Sequence, residues 1–284
     1  MKLWLAAFVA FLACVPAHAA APQRVASVFL CTDEYVFRLL PRSRIAALSY
    51  LAADRHPVVS TIVDEVAGIP LLAMSAEAVL AARPDLVVLA EGTSTGVRSV
   101  LRAAGIPFID VPWATSLDEI RAVTRSLSQA LGVSQRGEAL IAEMDARLAA
   151  ARVAAPAPPV KAVLYEPNGY TVAGGLSDAI MNVAGIANIA PDMRPTRQGT
   201  VPVETIIVSA PELLILNGEP GLVDSRARQM LHHPALARLA PGTHQEWLSL
   251  TPLLCPGPWS AGAAETLAGA ARRARGLAVS PPSN

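Results

Sequence analysis

Two glutamates open two copies of one segment: EAVLAARPDLVVL begins at Glu77, and ETIIVSAPELLIL begins at Glu204. In each copy the glutamate precedes a short apolar helical stretch, a proline, an acidic residue and a buried-type apolar run. Pro84 and Pro211, Leu86 and Leu213, and Leu89 and Leu216 keep the same register, 127 residues apart. A carboxylate at a helix N-terminus interacts favourably with the helix dipole, by ~0.3–1 kcal/mol. Two like charges on similarly built lobes also suit a two-fold partner of opposite charge, and their paired placement favours that second role. Solenoid units run roughly 20–50 residues, so a repeat of this length implies two lobes instead. A crevice between lobes is where small ligands bind.

The thiols and imidazoles offer other chemistry. Cys31 and Cys255 are the cysteines left once an N-terminal export segment is removed. In an oxidising compartment an even pair invites a disulfide, which needs Cα atoms within about 7 Å and would here tie the lobes together. The alternative is two thiols at the crevice. Cys31 with a distant histidine, and Glu91 or Asp33 as acid, would describe a secreted cysteine-dependent enzyme. No compact catalytic motif supports that, and the chain is read as a non-enzyme. His56, His232, His233 and His244 match no metal-ligand spacing and are read as surface or capping residues, with no metal site.

Lys2, the apolar run Leu3 to Ala13 and the small-residue site Ala17-His18-Ala19 form a cleavable signal peptide over residues 1–19. The residues around Cys14 fit a lipoprotein site less well, so a soluble periplasmic protein is expected. The remainder has no apolar run near the ~20 residues that a membrane helix needs. A formal net charge of +0 without a basic run argues against nucleic acid. With 52% hydrophobic and 16% charged residues the chain can bury a substantial core.

The elements that must position these residues alternate. Strands are expected over Arg24–Leu30, Ile45–Leu48, Leu86–Leu89 and Ile106–Val111. Helices are expected after Asp33 (as a cap), at Glu77, and over Val97–Ala104. From Leu117 the apolar spacing turns helical. Ser134 to Ala155, with Leu140, Ile141, Met144 and Leu148 on one face, reads as a long helix stopped by Pro156. Alternation resumes at Val160–Tyr165, continues through Ser177–Val183, Glu204–Ser209, Leu213–Leu216 and Ala227–Leu231, and closes with a helix over Ala261–Leu277. The expected architecture is two Rossmann-like α/β lobes, residues 20–132 and 157–284, joined by a long helix within 133–156, with a ligand cleft between them.

Taken in order, RVASVFLCTDE, the Glu77 segment, GIPFIDVP followed by SLDEI, the long helix, LYEPNGYTVAGG, AGIANIAP and the Glu204 segment resemble the helix-linked (class III) periplasmic binding proteins of ABC importers. Those proteins carry cobalamin and ferric siderophores. The resemblance covers nearly the whole chain after the signal peptide. It implies a monomer that captures a corrinoid or a ferric siderophore and delivers it to an inner-membrane permease and its ATPase. No resident cofactor is implied, since the carried ligand itself would hold cobalt or iron. Haem or a bare metal ion is the alternative cargo. The resemblance also implies that Glu77 and Glu204 dock against permease arginines.

Such ligands are broad and partly apolar, so their sites need flat aromatic faces and a few aimed polar groups. Aromatic residues are only 5% of the chain, which makes each one informative. Tyr50, Trp113, Tyr165, Tyr170 and Trp259 lie near expected strand ends or in the late Pro-rich loop that also holds Trp247. Tyr50, Tyr170 and Trp259 are the preferred contacts, against the alternative of ordinary core packing. Arg194 and Arg197, in a loop before the second glutamate, could hold ligand carboxylates bidentately, although solvated loop arginines are commoner.

Overall fold

The computed structural model describes residues 20–55, 59–92, 95–218, 225–236, 239 and 242–278; the expected signal segment, with Cys14, and His56 fall outside the described residues. The N-terminal sheet contains β1 (Val25–Ser27), β2 (Ile45–Ser49), β3 (Leu71–Leu72), β4 (Leu86–Ala90) and β5 (Phe108–Val111). They pair in parallel in the order β3-β2-β1-β4-β5. Helices α1 (Leu30–Leu39), α2 (Ala76–Ala81), α3 (Thr95–Ala103) and α4 (Leu117–Ala130) accompany it. Every residue of β2 and β4 is buried, as central strands covered on both faces require.

The long helix α5 (Ser134–Ala154) follows. Its one buried face, which includes Gly137, Leu140, Met144, Leu148 and Ala151, packs against both α4 and the C-terminal helix. Gly137 allows the first contact: a Cβ there would meet Ser128 Oγ at 2.1 Å. The second sheet holds β6 (Val160–Tyr165), β7 (Ile186–Asn188), β8 (Leu213–Asn217) and β9 (His244–Leu248), all parallel, in the order β7-β6-β8-β9. With it go α6 (Gly175–Val183), α7 (Val203–Ser209), α8 (Arg226–Gln229), α9 (Thr251–Leu254) and α10 (Ala261–Ala274). Arg147 of α5 reaches Glu265 of α10 at 2.5 Å.

The repeat read from the sequence is a repeat of structure. β4 and β8 begin 127 residues apart, as do the N-caps Ser75 and Pro202. Before each proline stands a left-handed residue, Arg83 with φ 47° and Ala210 with φ 40°. These turn the chain from helix into strand. The acidic residue after each proline then caps the first strand of its own sheet. Asp85 accepts from Arg24 N at 2.9 Å, and Glu212 accepts from Lys161 N at 3.2 Å.

The structure corrects several local expectations. β3, β7 and β9 were not anticipated, and Trp247 lies in β9 rather than in a loop. Asp33 does not cap α1, which starts at Leu30. It lies inside the first turn, fully buried, and accepts Ser49 N at 3.0 Å and the Ser49 hydroxyl at 2.5 Å, tying α1 to the end of β2. Trp259 is 7% exposed and belongs to the core that the two lobes share. Its ring meets Tyr35 of α1 edge-on at 4.8 Å, lies under the Arg38 guanidinium at 5.1 Å, and donates its N–H to Cys255 O at 2.8 Å. Gly257 makes room for that ring, since a Cβ there would sit 2.3 Å from it.

Trp259→Ala should therefore cost about 3–5 kcal/mol of stability, as deletion of a buried tryptophan does, read from denaturant unfolding. A loss under about 1 kcal/mol would contradict this packing. Burial raises the Asp33 carboxyl from 3.8 to about 7, with the Ser27 and Ser49 hydrogen bonds opposing the rise. The folded state thus holds this proton more tightly than the unfolded chain. Its contribution to stability is full below pH 3.8 and is lost as pH rises to about 7. Asp33→Asn should raise the melting temperature at pH 8 and leave it nearly unchanged at pH 3.5; an equal shift at both values would refute the assignment.

Candidate functional site

All strands of each sheet are parallel, so every strand-to-helix loop of a lobe leaves from one edge. Two contacts bring these edges together. Cys31, the second residue of α1 just past β1, is joined by a disulfide to Cys255, which follows α9. Gly175, at the start of α6, leaves space where a Cβ would lie 3.5 Å from Thr115 O, four residues past β5. The edges therefore face each other across a crevice. In open α/β sheets, ligands settle beyond the strand C-termini where strand order reverses. Those points are the β1/β4 and β6/β8 boundaries. With its sulfur bonded to Cys255, Cys31 supplies no thiolate, which removes the nucleophile of the enzyme reading.

On the N-terminal edge, Tyr50 directly follows β2 and is 47% exposed, and Trp113 follows β5 and is 55% exposed. On the C-terminal edge, Tyr170 follows β6 and is 41% exposed. Its loop is built to hold it. Tyr170 bridges Thr200, Thr171 N donates to Gly199 O at 2.9 Å, and the hydroxyls of Thr196 and Thr200 lie 2.6 Å apart. Arg197 sits within this pinned turn and is exposed, as is Arg194, left-handed at φ 51°. Fold and loop geometry thus bring Tyr50, Trp113, Tyr170, Arg194 and Arg197 to the two facing edges.

Two expected ligand contacts lie elsewhere. Tyr165 is 0% exposed; as the last residue of β6 its side chain points into the second core, and its hydroxyl donates to Val201 O at 3.2 Å. Burial, and to a lesser extent Glu204, pushes its pKa up. Trp259 lies in the shared core described above. Neither ring offers a face to a ligand.

Sequence reasoning missed Glu166, the residue after Tyr165, which accepts from Asn217 Nδ2 at 3.2 Å. The β6/β8 boundary would have pointed to it, but strand order is not visible in one sequence. Glu77 and Glu204 are both exposed, each in the first turn of its helix. Helices that lead into parallel strands run antiparallel to them, so both N-termini lie on the side of the crevice edges. Hydrogen bonds from its own backbone and from Ser75 hold the Glu77 carboxyl below its ordinary pKa.

His232 stacks on Trp247 at 4.8 Å, and His244 Nε2 lies 3.2 Å from Glu246. Among the described residues no group of three or more His, Cys, Asp or Glu side chains could hold a metal ion. A groove of about 660 Å³ lined by Arg38, Glu65, Arg136 and Glu143 opens at the C-terminal end of α1, the opposite end from the crevice.

The periplasmic binding protein family matches residues 68–243, more than half the chain. A search of curated proteins found no match. Among solved structures, the chain is similar to a periplasmic heme binding protein from Pseudomonas aeruginosa, with 25% identity, TM-score 0.66, and 92% of this chain and 95% of that one covered. It is similar to the periplasmic vitamin B12 binding protein BtuF of Vibrio cholerae, with 17% identity, TM-score 0.63 and coverage of 90% and 98%. A third similar structure is an ABC-type Fe3+-hydroxamate transport system protein from Saccharomonospora viridis, with 19% identity, TM-score 0.61 and coverage of 90% and 94%. The two parallel-sheet lobes, the long helix between them and the family match lead to one conclusion: the chain belongs to the periplasmic binding protein family, in its helix-linked class.

Proposed function

We propose that this chain is the periplasmic capture subunit of an ABC importer and that its cargo is a broad metal chelate: a corrinoid, a ferric siderophore or haem. The observation that carries the reading is the set of three exposed aromatic side chains on the facing edges, Tyr50 and Trp113 on one and Tyr170 on the other. Large exposed rings are costly to leave in water and serve flat, partly apolar ligands. Arg194 and Arg197, beside Tyr170 on the chain's C-terminal edge, suit carboxylates on such a ligand. Two of the similar structures are described as heme and vitamin B12 binding proteins and the third as an Fe3+-hydroxamate transport system, so three kinds of chelate remain to be told apart.

The deciding experiment is native mass spectrometry of the exported protein with haemin, cyanocobalamin, cobinamide and a ferric hydroxamate. Retention of one class supports the reading and identifies the source; retention of none overturns it. For the retained ligand, Tyr50→Ala, Trp113→Ala and Tyr170→Ala should each weaken binding with little change in melting temperature. Loss of a stacking face is worth roughly 0.5–1.5 kcal/mol, a several-fold rise in Kd. Normal affinity in all three variants would remove the crevice as the site.

Glu77 and Glu204 are proposed to dock the two lobes against cationic residues of the permease dimer. Their equivalent positions, exposure and placement on the crevice side support this. Glu77→Arg and Glu204→Arg should leave ligand affinity intact and impair uptake, the double variant most, since like-charge juxtaposition at an interface costs on the order of several kcal/mol. If the glutamates serve only as helix-end charges, uptake by the double variant will be normal and stability slightly lower.

A further inference from the structure

Glu166 is the first residue past β6 and Asn217 the last of β8, so the pair spans the strand-order reversal of the C-terminal sheet. Asn217 is held at both ends of its amide. Its Nδ2 donates to Glu166 Oε1 at 3.2 Å, and its Oδ1 accepts Leu250 N at 3.1 Å. The Glu166 backbone N donates to Tyr170 O at 2.8 Å, which ties the carboxyl to the loop carrying the exposed Tyr170 ring. Oε2 has no hydrogen-bond partner among the described residues, and Glu166 makes no ion pair with a described cation. Burial pushes its pKa up, with the Asn217 donor opposing. Oε2 is open to solvent, so a ligand that covers it without offering a donor strips its water and leaves it unpaired, which is costly.

We propose that Glu166 contacts the ligand and selects a chelate whose edge presents an uncharged N–H or O–H donor, an amide edge above all, over one presenting a carboxylate there. This rests on the crevice being the ligand site. An amide N–H completes the open oxygen. A ligand carboxylate at the same place would set two like charges together in a partly dry site, and one of them would have to take up a proton. Arg194 and Arg197, on the segment after β7, leave room for a carboxylate elsewhere on the same ligand. The selectivity is therefore local to the β6/β8 boundary.

Dicyanocobinamide and dicyanocobyrinic acid test this directly, because they share one ring and differ in bearing edge amides or edge carboxylates. Both are titrated, with haemin alongside, into wild-type protein and Glu166→Gln, and melting temperatures are recorded. The wild type should favour cobinamide by on the order of tenfold or more, the worth of a hydrogen bond to a charged group. Glu166→Gln, which can donate as well as accept, should bring that ratio close to one without loss of melting temperature. The proposal is overturned if the variant keeps the wild-type ratio, or if the wild type prefers cobyrinic acid or binds haemin and not cobinamide. In those cases a chelate still binds and the crevice reading stands. Failure of the wild type to bind any chelate, those of the wider panel included, overturns both. The wild-type ratio is read whether or not the variant folds.

Discussion

The bond between Cys31 and Cys255 joins residues 224 positions apart, and the crevice depends on it because each cysteine leaves the strand-end edge of a different sheet. In the chain-entropy account a closed loop of that length stabilises the folded state by about 5 kcal/mol. Its position matters as much. Trp259, four residues beyond Cys255, drives into α1 between Tyr35 and Arg38, so the covalent tie and a buried aromatic act at one junction. Next to it, α5 packs on α4, on α10 and on the Pro258–Ser260 turn that carries Trp259, and it joins the Arg121–Asp145 and Arg147–Glu265 ion pairs to the two lobes. Disulfide, buried tryptophan and long helix thus belong to one continuous core that both lobes share. Ties of this kind lead us to expect little closure of the crevice around a ligand, and a preformed site binds with little ordering cost.

The pseudo-symmetry has a physical origin. A helix leading into a parallel strand must reverse direction within a few residues, and both lobes do so in the same way. A left-handed residue ends the helix, a proline prevents it from continuing, and an acidic side chain then captures the free N–H at the start of the neighbouring strand. Repeating this device fixes where each helix ends, and helices of nearly equal length, Ala76–Ala81 and Val203–Ser209, then place Glu77 and Glu204 equivalently. The motif read first as two charges is thus also a folding unit.

That explains how much was legible in the sequence. The periodic helices, the central apolar strands and the repeat were readable because each rests on local chemistry. The strands β3, β7 and β9 were not. β3 has two residues, β7 three, and β9 is the polar, half-buried HQEWL at a sheet edge, so none carries an apolar run. The aromatics failed for a different reason. Tyr165 and Tyr170 lie five residues apart around one turn, yet one fills a core and the other faces solvent, because burial there depends on the packing of the 193–206 segment. Trp259 carried a usable signal in Gly257, whose missing side chain admits the ring, but its partner helix lies more than two hundred residues away.

The two walls of the crevice differ in kind. The N-terminal edge offers Tyr50 and Trp113, while the C-terminal edge adds Arg194, Arg197 and the Glu166–Asn217 pair to Tyr170. Stacking is tolerant of ring identity, since any flat face will serve, whereas an aimed carboxyl or guanidinium distinguishes edge groups by sign and by proton content. If the crevice holds a flat chelate as proposed, both lobes offer rings to its faces and only the C-terminal lobe adds aimed polar groups to read its edge.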